Sequence, residues 1–407
     1  MVAAGVKCAG LALLLAVTGA GRALAAESAD GNDLVIRGAT VMTVANGTLD
    51  NADVWVHDGK IAGVGAQLEV PSGTPEVAAN GRYLTPGIID PHSHIATDGH
   101  NNEMSSPFTP DMRIVDVIDP RNHEFGLALA GGTTTQMILP GSTNLIGGQG
   151  VVIKNRVGEP LENMVVADAP MAVKFAIGEN PIRSYGGKGQ MPASRMGTAA
   201  ALRQKFAALR EAGGKPKTEA DRVLQALVDG KAFAHIHAYR AGEMETMIGI
   251  AKEAGFTIRA FHHATEAYKI TPQLVEAGIA AVTWSDWFGV KAEAWDAIPW
   301  NASMALEQGA RVALHSDSVD ITRRMNLEAA KVVRYGMSRE QALRAITLEP
   351  AWVIGLQDRI GSIEVGKDAD LVLWSSDPFA VAARADQVYI EGKRYFDRGI
   401  ADAEAAR

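Results

Sequence analysis

LTPGIIDPHSH, residues 84–94, is the stretch from which the rest of the chain is read. Ile88 and Ile89, entered through Pro86 and Gly87, read as a short buried strand, and two imidazoles follow one residue apart. Residues i and i+2 of an extended strand share a face, so His92 and His94 can point the same way and chelate one ion. Two solvated loop histidines are the plain alternative, and the other strand ends decide between the readings.

Outward from this stretch, short apolar runs alternate with Ala-, Leu- and Glu-rich helical stretches, the pattern of repeated βα units on a parallel sheet. The runs are TPGIID (85–90), TTTQMIL (133–139), GVVIK (150–154), AVKFAI (172–177), AFAHIH (232–237), TIRAFHH (257–263), IAAVTW (279–284) and RVALHSD (311–317). Eight strands over residues 86–350 match the size of a (β/α)8 barrel. A doubly wound sheet is the alternative, but no Gly-rich phosphate fingerprint follows the first strand. Residues 33–64, 361–374 and 387–397 hold short β-branched runs separated by turn residues, and neither end has enough apolar surface to stand alone. The expected fold is α/β: a barrel at 86–350 beside a small β-sandwich formed by both chain ends, 26–85 and 351–407. The Gly-, Lys- and Pro-containing insert at 178–230 is expected to cover the barrel mouth.

Barrel enzymes place their chemistry at the C-terminal ends of the strands. His92, His94, His237, His263 and Asp317 lie at such ends, which favours metal binding over loop histidines. His235 shares a face with His237, and His315 with Asp317; the deeper member of each pair is expected to support a ligand rather than to be one. His262 and His263 face opposite ways, and spacing alone does not choose between them. Lys174 shares a face with Ala172 and Ala176, while Val173, Phe175 and Ile177 share the other. The large apolar side should face the helices and turn Lys174 inward. A buried ammonium beside metal ions would lose its proton or be converted by carbon dioxide into a carbamate ligand. An ion pair with a carboxylate such as Glu179 is the structural alternative.

Composition sets the remaining bounds. The 407 residues are 47% apolar with a net charge of −8 spread along the chain, which argues against nucleic acid or anionic membrane as a partner. Lys7, the apolar run 9–17 and ALA at 23–25 form a signal-peptide pattern, so residues 1–25 are expected to be removed and the protein exported, periplasmic or secreted, with no membrane attachment afterwards. Cys8, the only cysteine, falls in that leader, so a metal would need His, carboxylate or carbamate ligands.

LTPGIIDPHSH, ALAGGTTT, VKFAIGENP, HAYRAGE, FHHATEAYK, HSDS and GSIEVGKDADLVLW together resemble the amidohydrolase superfamily of metal-dependent hydrolases, in particular its imidazolonepropionase and prolidase-like branch. The likeness runs from about residue 33 to 397. It implies the barrel and sandwich, with His92 and His94 as ligands of a first metal and His237 and His263 as ligands of a second. Lys174 becomes the carboxylated bridge, and Asp317 the catalytic aspartate and a further ligand. His237 is preferred to His235 because it begins the HA pair, and His263 to His262 by its spacing to the Tyr of EAYK. Glu179 remains an alternative bridging carboxylate. The implied cofactors are divalent metal, two zinc ions per chain, and carbon dioxide for the lysine.

The expected activity is hydrolysis of a C–N bond in a small amide, cyclic amide or dipeptide, with a metal-bound hydroxide and Asp317 as general base. Asn144, Arg183, Tyr185 and Glu266 are candidate substrate ligands. A mononuclear deaminase using Glu243, and a non-catalytic barrel scaffold, are the competing readings. A small molecule is the expected partner, with homo-oligomerisation left open.

Overall fold

The computed structural model describes residues 32–213 and 215–405; the proposed leader and Cys8 lie outside them. Five strands open the described chain, β1 (Leu34–Met42), β2 (Thr48–His57), β3 (Lys60–Gly65), β4 (Glu76–Ala78) and β5 (Tyr83–Pro86). The middle carries β6 (Ile88–Ser93), β7 (Thr133–Ile138), β8 (Ile146–Gln149), β9 (Val151–Lys154), β10 (Met171–Ala176), β11 (Ala232–Ala238), β12 (Ile258–His263), β13 (Ala280–Thr283) and β14 (Val312–Leu314). Then come β15 (Leu371–Trp374), β16 (Ala385–Ile390) and β17 (Lys393–Asp397).

Both ends of the described chain enter one eight-stranded sheet, ordered β17-β16-β15-β5-β1-β2-β3 with β4 beside β1. Period-2 alternation sorts its side chains. Leu371 and Leu373 join Ile36, Val54 and Leu84 in one cluster, while Val372 and Trp374 pack with the helix-facing residues of the middle segment.

Strands β10 to β14 run parallel in sequence order, each pair separated by helical chain, and β6 pairs parallel with β7. All eight runs read from the sequence are strands, but GVVIK is not a parallel one. Residues 146–154 form a bent strand whose first half, β8, is antiparallel to β10 and whose second half, β9, is antiparallel to β7. A parallel return from β7 would need a crossover of a dozen or more residues, usually helical, and no helix separates β7 from β9. The bend falls at Gly148, with φ +125°, where a Cβ would lie 2.4 Å from the Met112 carbonyl oxygen. Two seams join the sheets: Gly150 N–H donates to Ala172 O at 2.9 Å, and Asp317 N–H to His92 O at 3.0 Å.

The expected parity of β10 is realised. Val173, Phe175 and Ile177 pack outward with Leu202, Phe206 and Phe256, and Phe256 stacks on both Phe206 and Phe175. Ala172 joins Ile89, Met137, Val152, Ala260, Ala280 and Ala313 in a separate inner cluster. Small inner residues leave room above them for imidazoles. The GG of ALAGGTTT is steric: a Cβ on Gly131 would lie 2.4 Å from the Arg323 carbonyl oxygen.

The closing GKDADLVLW acts as a clamp. Lys154, at the end of β9, is buried and meets Asp368 at 2.8 Å, Asp370 at 3.2 Å and Glu391 at 2.7 Å. Burial opposes ionisation of Asp368, but the charge and hydrogen bonds of Lys154, Lys60 and Arg359 outweigh it and hold the carboxyl at about 2, against 3.8 unperturbed. Burial raises Asp370, whose contribution has the opposite sign. Stability from Asp368 is therefore complete above its unfolded pKa and lost as pH falls through the folded one. Asp368→Asn should flatten the melting-temperature profile between pH 4 and pH 2 (~2 kcal/mol in wild type). Lys154→Met, which leaves buried Asp370 without its cation while Asp368 keeps Lys60 and Arg359 and Glu391 keeps Arg156, should cost about 3–5 kcal/mol in denaturant unfolding at neutral pH.

Candidate metal centre

The ends of β6 and β14 are latched by Asp90, which is fully buried. It accepts from His92 N–H at 3.3 Å, Ser316 N–H at 3.1 Å, Thr322 Oγ1 at 2.9 Å and the Ser316 hydroxyl. Burial raises its carboxyl to about 6 against those four bonds. With Asp317 N–H bonded to His92 O, the latch fixes both backbones that carry the site.

The side chains then converge. His92 Nε2 lies 3.2 Å from His94 Nε2 and 3.5 Å from Asp317 Oδ1, and His94 Nε2 lies 3.1 Å from Asp317 Oδ1. His94 Nδ1 sits 2.8 Å from Leu139 O, which can only accept, so Nδ1 carries a proton. With that proton committed, a neutral ring aims its Nε2 lone pair at a second imidazole and a carboxylate, and a doubly protonated ring donates from Nε2 to Asp317. Three acceptors facing one another repel unless a cation or a proton lies among them.

His92 is oriented from behind. Its Nδ1 is 3.0 Å from His262 Nδ1, and His262 Nε2 is 3.0 Å from His235 Nδ1. A proton on each link, running from His92 to His262 to His235, leaves the His92 Nε2 lone pair directed at the cluster. His262 thus has a definite place, in the chain behind His92, and His263 faces the cluster.

His237, His263 and His315 complete the buried group. The rings of His237 and His263 are 4.4 Å apart, and nitrogens of His92, His263 and His315 lie within 4.8 Å of one another. Both ring nitrogens of His237 and of His315, and Nδ1 of His263, are buried without hydrogen-bond partners. Unpaired imidazole nitrogens at this density fit a bound divalent cation far better than a packed core. Burial depresses every one of these rings, to about 4 in His237, about 3 in His235 and His315, and well below the ordinary range in His92, His262 and His263. Neutral imidazole is the form that binds metal.

Lys174 reaches the same place. Its Nζ is fully buried, 3.1 Å from Pro140 O and 3.3 Å from His92 Nε2. It pairs with no carboxylate within 4.0 Å among the described residues, so the ion pair with Glu179 is not formed; Glu179 begins the helix Glu179–Gly186 and its N–H donates to Glu293 at 2.9 Å. Burial lowers the amine to about 8, with Asp317 opposing. Burial works to raise the Asp317 carboxyl, but a hydrogen bond from His94, strongest when that ring is doubly protonated, and the neighbouring Lys174 charge hold it at about 2. Asp317 at φ +54° and His263 at φ +72° are left-handed non-glycine residues, strain of the kind found where surrounding packing dictates a side chain's aim.

The four residues read as substrate ligands do not gather at this cluster. Asn144 spends Nδ2 on Ser106 O at 2.9 Å and Thr109 Oγ1 at 3.0 Å, and the Tyr185 hydroxyl donates to Ser106 O at 2.7 Å, so both are ties to the 103–109 loop. Glu266 caps the helix Ala241–Ala254 through Ala241 N–H at 2.9 Å. Arg183 is exposed. Glu243, the candidate residue of the deaminase reading, pairs with Arg195 at 3.0 Å. Two groups near His237 escape sequence reading. Glu293, buried on a short 3-10 turn, approaches His237 Nε2 to 3.8 Å, and Lys291 lies 4.0 Å over the ring of Tyr239, itself stacked on His263. Their KAEAW stretch has neither strand nor helix periodicity to announce them.

The profile of the Amidohydrolase family matches residues 300–395. Amidohydrolase tasK of Hapsidospora irregularis is 32% identical over 391 residues, 85% of this chain but 40% of that longer protein. An imidazolonepropionase of Geobacillus sp. (strain WCH70) is 27% identical over 376 residues, 80% of this chain and 84% of the relative. The crystal structure of an amidohydrolase from Thermotoga maritima MSB8 superposes with a TM-score of 0.85 at 37% identity, covering 90% of this chain and all of that one. With buried imidazoles gathered at strand ends and a full-length structural relative above 30% identity, the chain belongs to the amidohydrolase superfamily of hydrolases.

Proposed function

We propose that the protein is an exported metal-dependent hydrolase that cleaves a C–N bond in a small amide, cyclic amide or dipeptide. The observation that carries this reading is the set of facing acceptors: His92 Nε2, His94 Nε2 and Asp317 Oδ1 lie within 3.5 Å of one another, with the His94 proton committed to Leu139 O. In the same reading, the two mixed, mainly parallel sheets form one ring of a distorted (β/α)8 barrel, closed by the bent strand on one side and by the Asp90 latch on the other. The curled end sheet supplies a small β-sandwich beside it.

His92, His94 and Asp317 would hold one divalent ion, and His237 and His263 a second, with zinc the species best matched to the nitrogen donors. When bound, the metal polarises a carbonyl and brings water towards ionisation near neutral pH. The chain's own residues do the rest. Lys174, whose amine is partly neutral at about 8, attacks carbon dioxide, loses a proton and becomes an anionic oxygen donor between the two sets of histidines. Asp317, ionised across the neutral range and a quarter exposed, accepts a proton from attacking water and returns it to the leaving nitrogen. His262 and His235 keep His92 in the ligating tautomer.

Elemental analysis should find about two metal ions per chain, falling to about one or fewer in Lys174→Ala. Protein without metal that still hydrolyses N-acyl amino acids, dipeptides or cyclic imides would refute the proposal. Asp317→Asn should lower kcat on the substrate so identified by about 10²–10⁴-fold. His262→Ala, which removes no ligand, should weaken metal retention against a chelator by about 10–100-fold.

A further inference from the structure

A cavity of about 370 Å³ lies between the insert helix Arg195–Glu211 and the helix Ala241–Ala254. None of the histidines, nor Lys174 or Asp317, lines it. Its floor is apolar, with Leu202, Met247 and Ile250.

The polar wall is incompletely paired. Arg195 meets Glu243 Oε1 at 3.0 Å, and Glu266 is committed to Ala241 N–H and Lys269. Glu243 Oε2 remains, buried and with no hydrogen-bond partner. Thr198 is 7% exposed, and its Oγ1 also has none. Arg240 makes no ion pair among the described residues; burial and the charge of Glu293 raise the Glu243 carboxyl, with the charges of Arg195 and Arg240 opposing. A cation without an anion, a carboxylate oxygen without a donor and a hydroxyl without either thus share one wall above an alkyl surface. Buried polar groups are seldom left so, and a ligand completes all three.

We propose that this cavity binds a free amino acid with an apolar side chain. The carboxylate would sit on Arg240 and the Thr198 hydroxyl, the ammonium on Glu243 Oε2, and the side chain over Leu202, Met247 and Ile250. A dicarboxylate would meet Glu243 with like charge. A purely apolar ligand would leave the three polar groups unpaired. The site shares no residue with the metal cluster but borders it through Glu293, which neighbours both Gly178 and His237.

Isothermal titration with L-leucine tests the assignment. The expected result is one site per chain, weakened at least about tenfold by Arg240→Met and by Glu243→Gln. The same loss is expected when either charge of the ligand is blocked, in N-acetyl-L-leucine or L-leucinamide. Binding should persist in Asp317→Asn. Circular dichroism checks each variant, and Arg240→Lys, which keeps the charge, provides a second measurement should Arg240→Met fail to fold. Absence of binding at millimolar L-leucine, equal affinity in Glu243→Gln and wild type, or loss of binding in Asp317→Asn would overturn the proposal; the last outcome would put the ligand at the metal cluster.

Discussion

Nδ1 of His94 is bonded to a backbone carbonyl at the end of the neighbouring strand, and much of the site follows from that one bond. A carbonyl oxygen cannot donate, so the ring has a single neutral tautomer and its remaining lone pair points into the protein. There it meets the Nε2 of His92 and an oxygen of Asp317, both negative in character. The backbone around them leaves little freedom to relax: Asp90 bonds across from β6 to Ser316 and Thr322, and Asp317 N–H closes the same seam. Mutual repulsion is built into a rigid frame, which is what a preorganised cation site requires.

The rest of the interior makes that frame affordable. Alanines at positions 172, 260, 280 and 313 form the inner layer below the imidazoles, while the large side chains of the same strands turn outward against helices. Four strands, β6, β11, β12 and β14, can therefore bring imidazoles to one level without overpacking. Burial in this layer also sets the charge state, since it keeps His92, His235, His237, His262, His263 and His315 neutral and brings the Lys174 amine down to about 8. An acidic partner beside Lys174 would have raised the amine again. Glu179 instead stands at a helix start, its N–H bonded to Glu293.

Features that obey a short period could be read from the sequence. The inward turn of Lys174, the shared face of His92 and His94, and the eight strands all follow from alternation along extended chain. What depended on contacts between distant loops could not. Asn144 and Tyr185 carry the polar tips expected of substrate ligands, but both tie down the 103–109 loop, a partner that no spacing specifies. The bent strand at 146–154 looked like one parallel strand because its apolar run was visible, whereas the glycine bend and its two antiparallel partners were not. His262 and His263 were indistinguishable by pattern; the chain through His235 separates them, and that chain exists only once β11 and β12 lie side by side.

The clamp at Lys154 shows why the closing motif belongs with the site although it lies far along the chain. Lys154 ends the outer half of the bent strand, and the inner half pairs with β10, which carries Lys174. Three carboxylates from the C-terminal segment hold that strand end, two of them from GKDADLVLW. A buried ammonium is poorly solvated there without them, so the strand end and the end sheet must settle together. The end sheet therefore does more than cover apolar surface: it fixes the bent strand that is antiparallel to both β7 and β10, and through β8 it fixes the height at which Lys174 meets His92.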